Sequence, residues 1–244
     1  PQYGKEAWER YWAKRFGDGV ITWGPDPMLT LLGEGQAHVV HDAWVVARSL
    51  GERHAMAPPL PQILLSSPLS RSLQTLCISW RNILAKTVAP GPSAAYQQPV
   101  FVHENLREVY GKNTCDMRSS RSEIEHRMEQ WDSSFRLVCN DGFAEQDPLW
   151  TVCSIVSAMR LRRRNASRMM QCARAFKAHS RPCGRMRQRA PRVRRPTDPY
   201  AVLSLTCHGG VIQRLLEITG HTPMNAPVGS MSAPAALTQV YSRL

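Results

Sequence analysis

The sequence predicts an α/β fold, a sheet of buried strands with helices on its faces. Three observations predict it. Short apolar runs at 62–66, 100–103 and 201–207 read as strands buried on both sides. Stretches with helical apolar spacing, 10 to 18 residues long, lie between and around them. No window approaches 18 consecutive apolar residues, so no membrane-spanning helix is expected.

Taken in order, residues 5–16 place Trp8, Tyr11, Trp12 and Phe16 on one face of a core-facing helix. Residues 17–27 are rich in turn formers. A helix capped by Thr30 runs to about Leu50, with Ala37, Val40, Trp44, Val45 and Leu50 as its buried stripe. The strand at 62–66 stops at Ser67-Pro68, and a helix follows over about 70–85. Its inner side carries Leu73, Leu76, Cys77, Trp80 and Leu84. Prolines and a glycine make 90–99 a loop before the strand at 100–103. Residues 104–122 read as polar and irregular, and 122–131 as a short charged helix. After the strand at 201–207, Gly209-Gly210 opens a helix that Gly220 ends, and 236–242 reads as a last strand. The chain has 244 residues, which fits one domain spanning 1–244.

The formal net charge is +12, but it is not spread evenly. Residues 160–195 hold thirteen Arg and Lys177 with no acid. The rest carries 17 basic against 19 acidic side chains and is nearly neutral. Three readings of this block stand side by side: a solvated insertion, the product of a shifted reading frame or retained intron, and a nucleic-acid or nuclear-import patch. Phe176 is its only aromatic residue, which argues against base stacking and hence against a nucleic-acid partner. Seven Cys at irregular spacing, without a CxxC pair, predict neither a disulfide framework nor a zinc site. They suit a reducing compartment, so a cytoplasmic location is expected, with the nucleus as the alternative offered by the basic block. The sequence sets no oligomeric state.

In an open α/β sheet, ligands bind beyond the carboxyl ends of the strands. Arg71 lies in the first helical turn after 62–66. Glu104, Arg107 and Glu108 follow 100–103, and His208 with Gly209 follows 201–207. An Arg near a helix start, a His and a carboxylate are the parts of a phosphate site with a proton donor.

These residues sit in recognisable strings. Ser67-Pro68-Leu69-Ser70-Arg71-Ser72-Leu73-Gln74-Thr75 resembles the SPLxRxxQT motif of the histidine phosphatase superfamily, in its phosphoglycerate mutase-like branch. The segment from Asp26 to Ala37 is similar to that branch's DPxLTxxGxxQA string. Leu106-Arg107-Glu108 with Gly111, followed by Thr114-Cys115-Asp116-Met117-Arg118, resembles LRExxG and TCDxR. Thr206-Cys207-His208-Gly209-Gly210 resembles TxHGG. The likeness covers about 1–149 and 198–235, and the basic segment 150–197 matches poorly.

The resemblance implies a three-layer sandwich with a mostly parallel central sheet and helices on both faces. It implies a phosphatase of small phosphorylated metabolites, or a phosphomutase, working through a phosphohistidine with no metal or cofactor. Arg71, His208 and Gly209 would bind phosphate. His208 and Glu108 would be catalytic, Glu108 as proton donor with Glu104 as the runner-up. Glu104, Arg107 and Arg118 would contact substrate. The attacking His belongs to an Arg-His-Gly motif, and Arg53-His54-Ala55 does not supply it. The family places that motif upstream of Pro1, at the end of a central strand. The chain is therefore expected to lack its nucleophile and to leave a gap in the sheet. The alternatives are an inactive phosphate-binding remnant and a nucleic-acid-binding module at 160–195.

Overall fold

A computed structural model describes residues 3–53, 58–84, 97–108, 111–150, 202–218 and 220. Four parallel strands form one sheet: β1 (Ile63–Ser66), β2 (Gln98–Val102), β3 (Phe135–Cys139) and β4 (Leu203–Thr206). Their order is β3-β2-β1-β4. The chain thus winds outward from β1 to β2 to β3, then returns to the other side of β1. Ser66 pairs with Val102 on one side and Thr206 on the other. The point where the winding reverses lies between β1 and β4, and there the strand ends leave room for a ligand.

Around the sheet lie α1 (Lys5–Arg10), α2 (Leu31–Arg53), α3 (Ser70–Trp80), α4 (Arg121–Trp131) and α5 (Gly209–Ile218). Strand alternation divides β1 between two cores. Leu64 joins Leu73, Leu76, Cys77, Trp80, Val100, Ile124 and Met128 under α3 and α4. Leu65 faces the other way, toward Leu205, Leu106, Val211 and Leu215 under α5. Both faces are covered, as the apolar runs predict, and the architecture is an α/β three-layer sandwich. Leu64, Leu73 and Leu76 are fully buried, and truncating such a leucine to alanine costs about 2–5 kcal/mol. Trp80 links three elements. Its ring lies 4.8 Å from that of Trp44 on α2, and its indole N–H donates to Ser204 Oγ on β4 at 3.1 Å. Among the described residues, no helix is long and apolar enough to cross a membrane.

Several expectations are corrected. The helix at 5–16 breaks after Arg10 into a 3-10 turn at Trp12–Lys14, and α1 buries no residue. Its aromatic side chains pack on one another instead: Tyr3 stacks on Trp12 at 4.4 Å, and Trp8 meets Trp23 at 5.1 Å. Tyr11 and Phe16 remain exposed. On α2, Ala37 and Trp44 are buried, whereas Val45 and Leu50 are exposed, so the buried stripe is narrower than the apolar arc of the sequence. Helix α3 stops at Trp80, not near 85, and Asn82 takes a left-handed φ of 59° just beyond it. Strand β3 falls where no strand was expected. The four strands are contiguous, so the expected gap does not fall between them, and β4 stands at the edge of the described sheet. The basic block at 160–195 and the strand expected at 236–242 lie outside the described residues.

Candidate active site

The carboxyl ends of β1 and β4 carry Ser67 and His208. Ser67 extends the ladder, its N–H donating to the Thr206 carbonyl at 3.0 Å. This brings His208 Nε2 to 2.9 Å from Ser67 Oγ and 3.4 Å from Ser72 Oγ in the first turn of α3. A hydroxyl both donates and accepts, so Nε2 is satisfied in either tautomer of the ring. The His208 carbonyl accepts from the N–H of Ile212 at 2.9 Å and closes the first turn of α5. Gly209 opens that helix, whose N-terminal N–H groups favour an anion.

Burial, with the charges of Arg71 and Arg107, pushes the His208 imidazole down to about 3. The ring is therefore neutral near pH 7. Its Nδ1 faces Glu108 Oε2 at 3.9 Å. Burial pushes the Glu108 carboxyl up, the charge of Asp116 adds to that, and Arg71 opposes it. Glu108 also abuts α5: a Cβ at Gly210 would stand 2.9 Å from Glu108 Oε1.

Arg71 emerges from α3 with its side chain 23% exposed. Nη1 donates to the Cys115 carbonyl at 2.7 Å, and Nη2 donates to Asp116 Oδ1 at 2.7 Å. The Thr114–Asp116 turn that receives it is itself anchored. Thr114 Oγ1 donates to the Arg15 carbonyl at 2.5 Å and packs where a Cβ on Gly24 would stand.

Glu104, Arg107 and Arg118 are placed otherwise. The side chains of Arg107 and Arg118 are 0% exposed. Arg107 makes a two-pronged pair with Asp147, at 2.9 and 2.6 Å, and also reaches Glu104 at 3.0 Å. Arg118 donates to Glu104 at 2.6 Å and to the carbonyls of Ser119, Ala144, Glu145 and Gln146. Arg107 and Arg118 sit in a buried ionic frame beneath the 144–147 segment, which Glu104 joins with its side chain 16% exposed.

Sequence reasoning passed over three acids. Asp26 lies 44 residues before Ser70, yet it accepts from Ser70 N at 2.7 Å and Ser70 Oγ at 2.8 Å. It thereby caps α3 from outside, and it also accepts from Ser119 N at 3.1 Å. Asp116 receives Arg71, and Asp147 receives Arg107. Motif membership was the one signal for Asp26 and Asp116. Gln74 has a similar explanation: it accepts from Leu29 N and donates to Glu34, pinning the start of α2 to α3.

The fold and this rim define a parallel α/β protein with an anion-compatible site at its winding reversal. Comparison with known proteins shows what it is similar to. No family model matches the chain. A protein of Arthroderma benhamiae named "Probable phosphoglycerate mutase" is 31% identical over 232 residues, 94% of this chain and 56% of that protein. "Probable phosphoglycerate mutase PMU1" of Saccharomyces cerevisiae is 26% identical over 95% of this chain and 71% of its own length. "Phosphomutase-like protein 3" of Candida albicans is 24% identical, with 88% and 53% covered. These similarities support the phosphoglycerate mutase-like branch of the histidine phosphatase superfamily that the sequence motifs resemble. It spans about half the length of the Arthroderma and Candida relatives.

Proposed function

We propose that this chain is the phosphate-handling domain of a phosphatase acting on small phosphorylated metabolites. The observation that carries the reading is the meeting of His208, Glu108 and the Arg71-bearing turn of α3 at the end of β1 and β4. Arg71 and the N–H groups at Gly209 would hold the phosphoryl oxygens, whose charge needs fixed cationic and N–H donors. His208, seated by Ser67, would touch the same group. Glu108 would give a proton to the leaving oxygen, and its raised pKa keeps that proton available at higher pH. Arg107, Arg118 and Glu104 support the rim from below.

The resemblance assigns attack on phosphorus to a His in an Arg-His-Gly segment, and these 244 residues contain none. That favours a second reading for the isolated chain, binding without turnover. Two measurements separate the readings: calorimetric binding of orthovanadate, and phosphate release from an aryl phosphate. The isolated chain is expected to bind vanadate without turnover. Joined to a strand ending in Arg-His-Gly, it is expected to hydrolyse the ester, and Arg71→Ala should then lower the rate roughly 10²–10³-fold. Turnover by the unextended chain that disappears in His208→Ala would place the attacking group among the present residues. Absence of vanadate binding would end the phosphate reading.

A further inference from the structure

We propose that Asp116 is a positioning residue that fixes the guanidinium of Arg71 in the orientation a phosphoryl group meets. The inference rests on the reading of Arg71 as a phosphate ligand and adds a residue to it. Its basis is geometric. Asp116 is 2% exposed, and it sits 2.7 Å from Arg71 Nη2 while the neighbouring Cys115 carbonyl sits 2.7 Å from Nη1. One short turn thus grips both terminal nitrogens of the guanidinium. A guanidinium has five N–H donors in a rigid plane. The two bonds engage two of them, and the described residues leave the others available on a side chain that is 23% exposed.

The grip matters because an arginine side chain is rich in rotamers. Held only by its own stem, Arg71 would have to be ordered by the ligand, at the expense of affinity. Held by Asp116, it is ordered when the chain folds. The turn is itself fixed: Asn113 Nδ2 donates to Asp116 Oδ2 at 3.3 Å, and Thr114 is bonded to the N-terminal segment. The same carboxylate contributes to the raised pKa of Glu108, so one buried charge acts on both the anion ligand and the proton donor.

The test is a double-mutant cycle on the 244-residue chain, with inorganic phosphate as the probe and calorimetry as the readout. Asp116→Ala is expected to weaken phosphate binding about tenfold in the presence of Arg71 and to change nothing once Arg71→Ala is in place. Asp116→Asn keeps an acceptor for Nη2 and is expected to restore binding to within about threefold of wild type. Should the alanine variant fail to fold, Asp116→Ser carries the same cycle, because its shorter side chain no longer spans to Nη2. An equal loss from the Asp116 variant with and without Arg71→Ala would overturn the role given to Asp116 and leave the phosphate site standing. Phosphate binding that is unaffected by Arg71→Ala would remove the site reading itself, and this proposal with it.

Discussion

Glu108 and Gly210 are in direct apposition: the carboxylate occupies space that any side chain at 210 would need. A Cβ there would meet Oε1 at 2.9 Å. The glycine of the His-Gly-Gly string therefore makes room for the acid of the Leu-Arg-Glu string, 102 residues earlier in the chain.

Gly210→Ala should separate stability from the state of Glu108. Alanine favours the helix by about 1 kcal/mol over glycine, and the opposing atom is the movable end of a side chain. The melting temperature should hold or rise. Glu108, pushed toward water, should titrate closer to an ordinary carboxylate. Carboxyl carbon NMR reads that midpoint. A pKa as high as in the wild type would show that Gly210 does not seat the acid.

Acid should destabilise the fold through His208. The ring has its ordinary value near 6.5 when unfolded and about 3 when folded. Between those values the unfolded chain binds more protons, so stability falls as pH drops from about 6.5 toward 3. The slope from one such group is at most about 1.4 kcal/mol per pH unit. Urea unfolding of His208→Gln over this range should show a flatter profile than the wild type. Parallel profiles would mean that the ring is not buried neutral.

Asp26→Ala should destabilise by about 2–3 kcal/mol, since it removes the cap of α3 and a buried tie to Ser119 at once. The urea midpoint should fall with its slope unchanged. A loss below about 0.5 kcal/mol would show that water replaces the carboxylate without penalty.

Asp147→Ala should be costlier, about 3–5 kcal/mol, because it leaves the buried guanidinium groups of Arg107 and Arg118 to share the single carboxylate of Glu104. Burial works to raise the Asp147 carboxyl, yet the hydrogen bonds and charge of Arg107 hold it below its usual range. Replacing both partners with apolar residues should cost less than the single change. Phosphate affinity of any folded variant should stay near wild type, which distinguishes an ionic frame from a substrate contact.

The strands at 62–66, 100–103 and 201–207 were legible because burial on both faces leaves an unbroken apolar run, and all three recur within a few residues. Strand β3 was not. Phe135-Arg136-Leu137-Val138-Cys139 lies at the sheet's edge, where Arg136 can stay exposed, and its alternation spans only five residues. The candidate site was legible in part. Arg71, Glu108 and His208 sit beside strand ends, and strand ends can be found from local pattern. Asp26, Asp116 and Asp147 act across 40 to 45 residues on Ser70, Arg71 and Arg107, and no spacing rule reaches that far. The partners of Arg107 and Arg118 were hidden for the same reason: a cation beside a rim looks the same in sequence whether its partner is a ligand or a buried acid.

The strand order also sets a timetable. Registers β1–β2 and β2–β3 join residues 36 or 37 apart, as in Leu64 with Val100 and Val100 with Leu137, whereas β1–β4 joins Leu64 to Ser204. Closing the longer loop costs more chain entropy and comes at the slow end of a folding reaction. The contact between Ser67 and His208 spans 141 residues and forms only once β4 has docked beside β1. The candidate site is thus assembled by the pairing of longest sequence separation among the described strands.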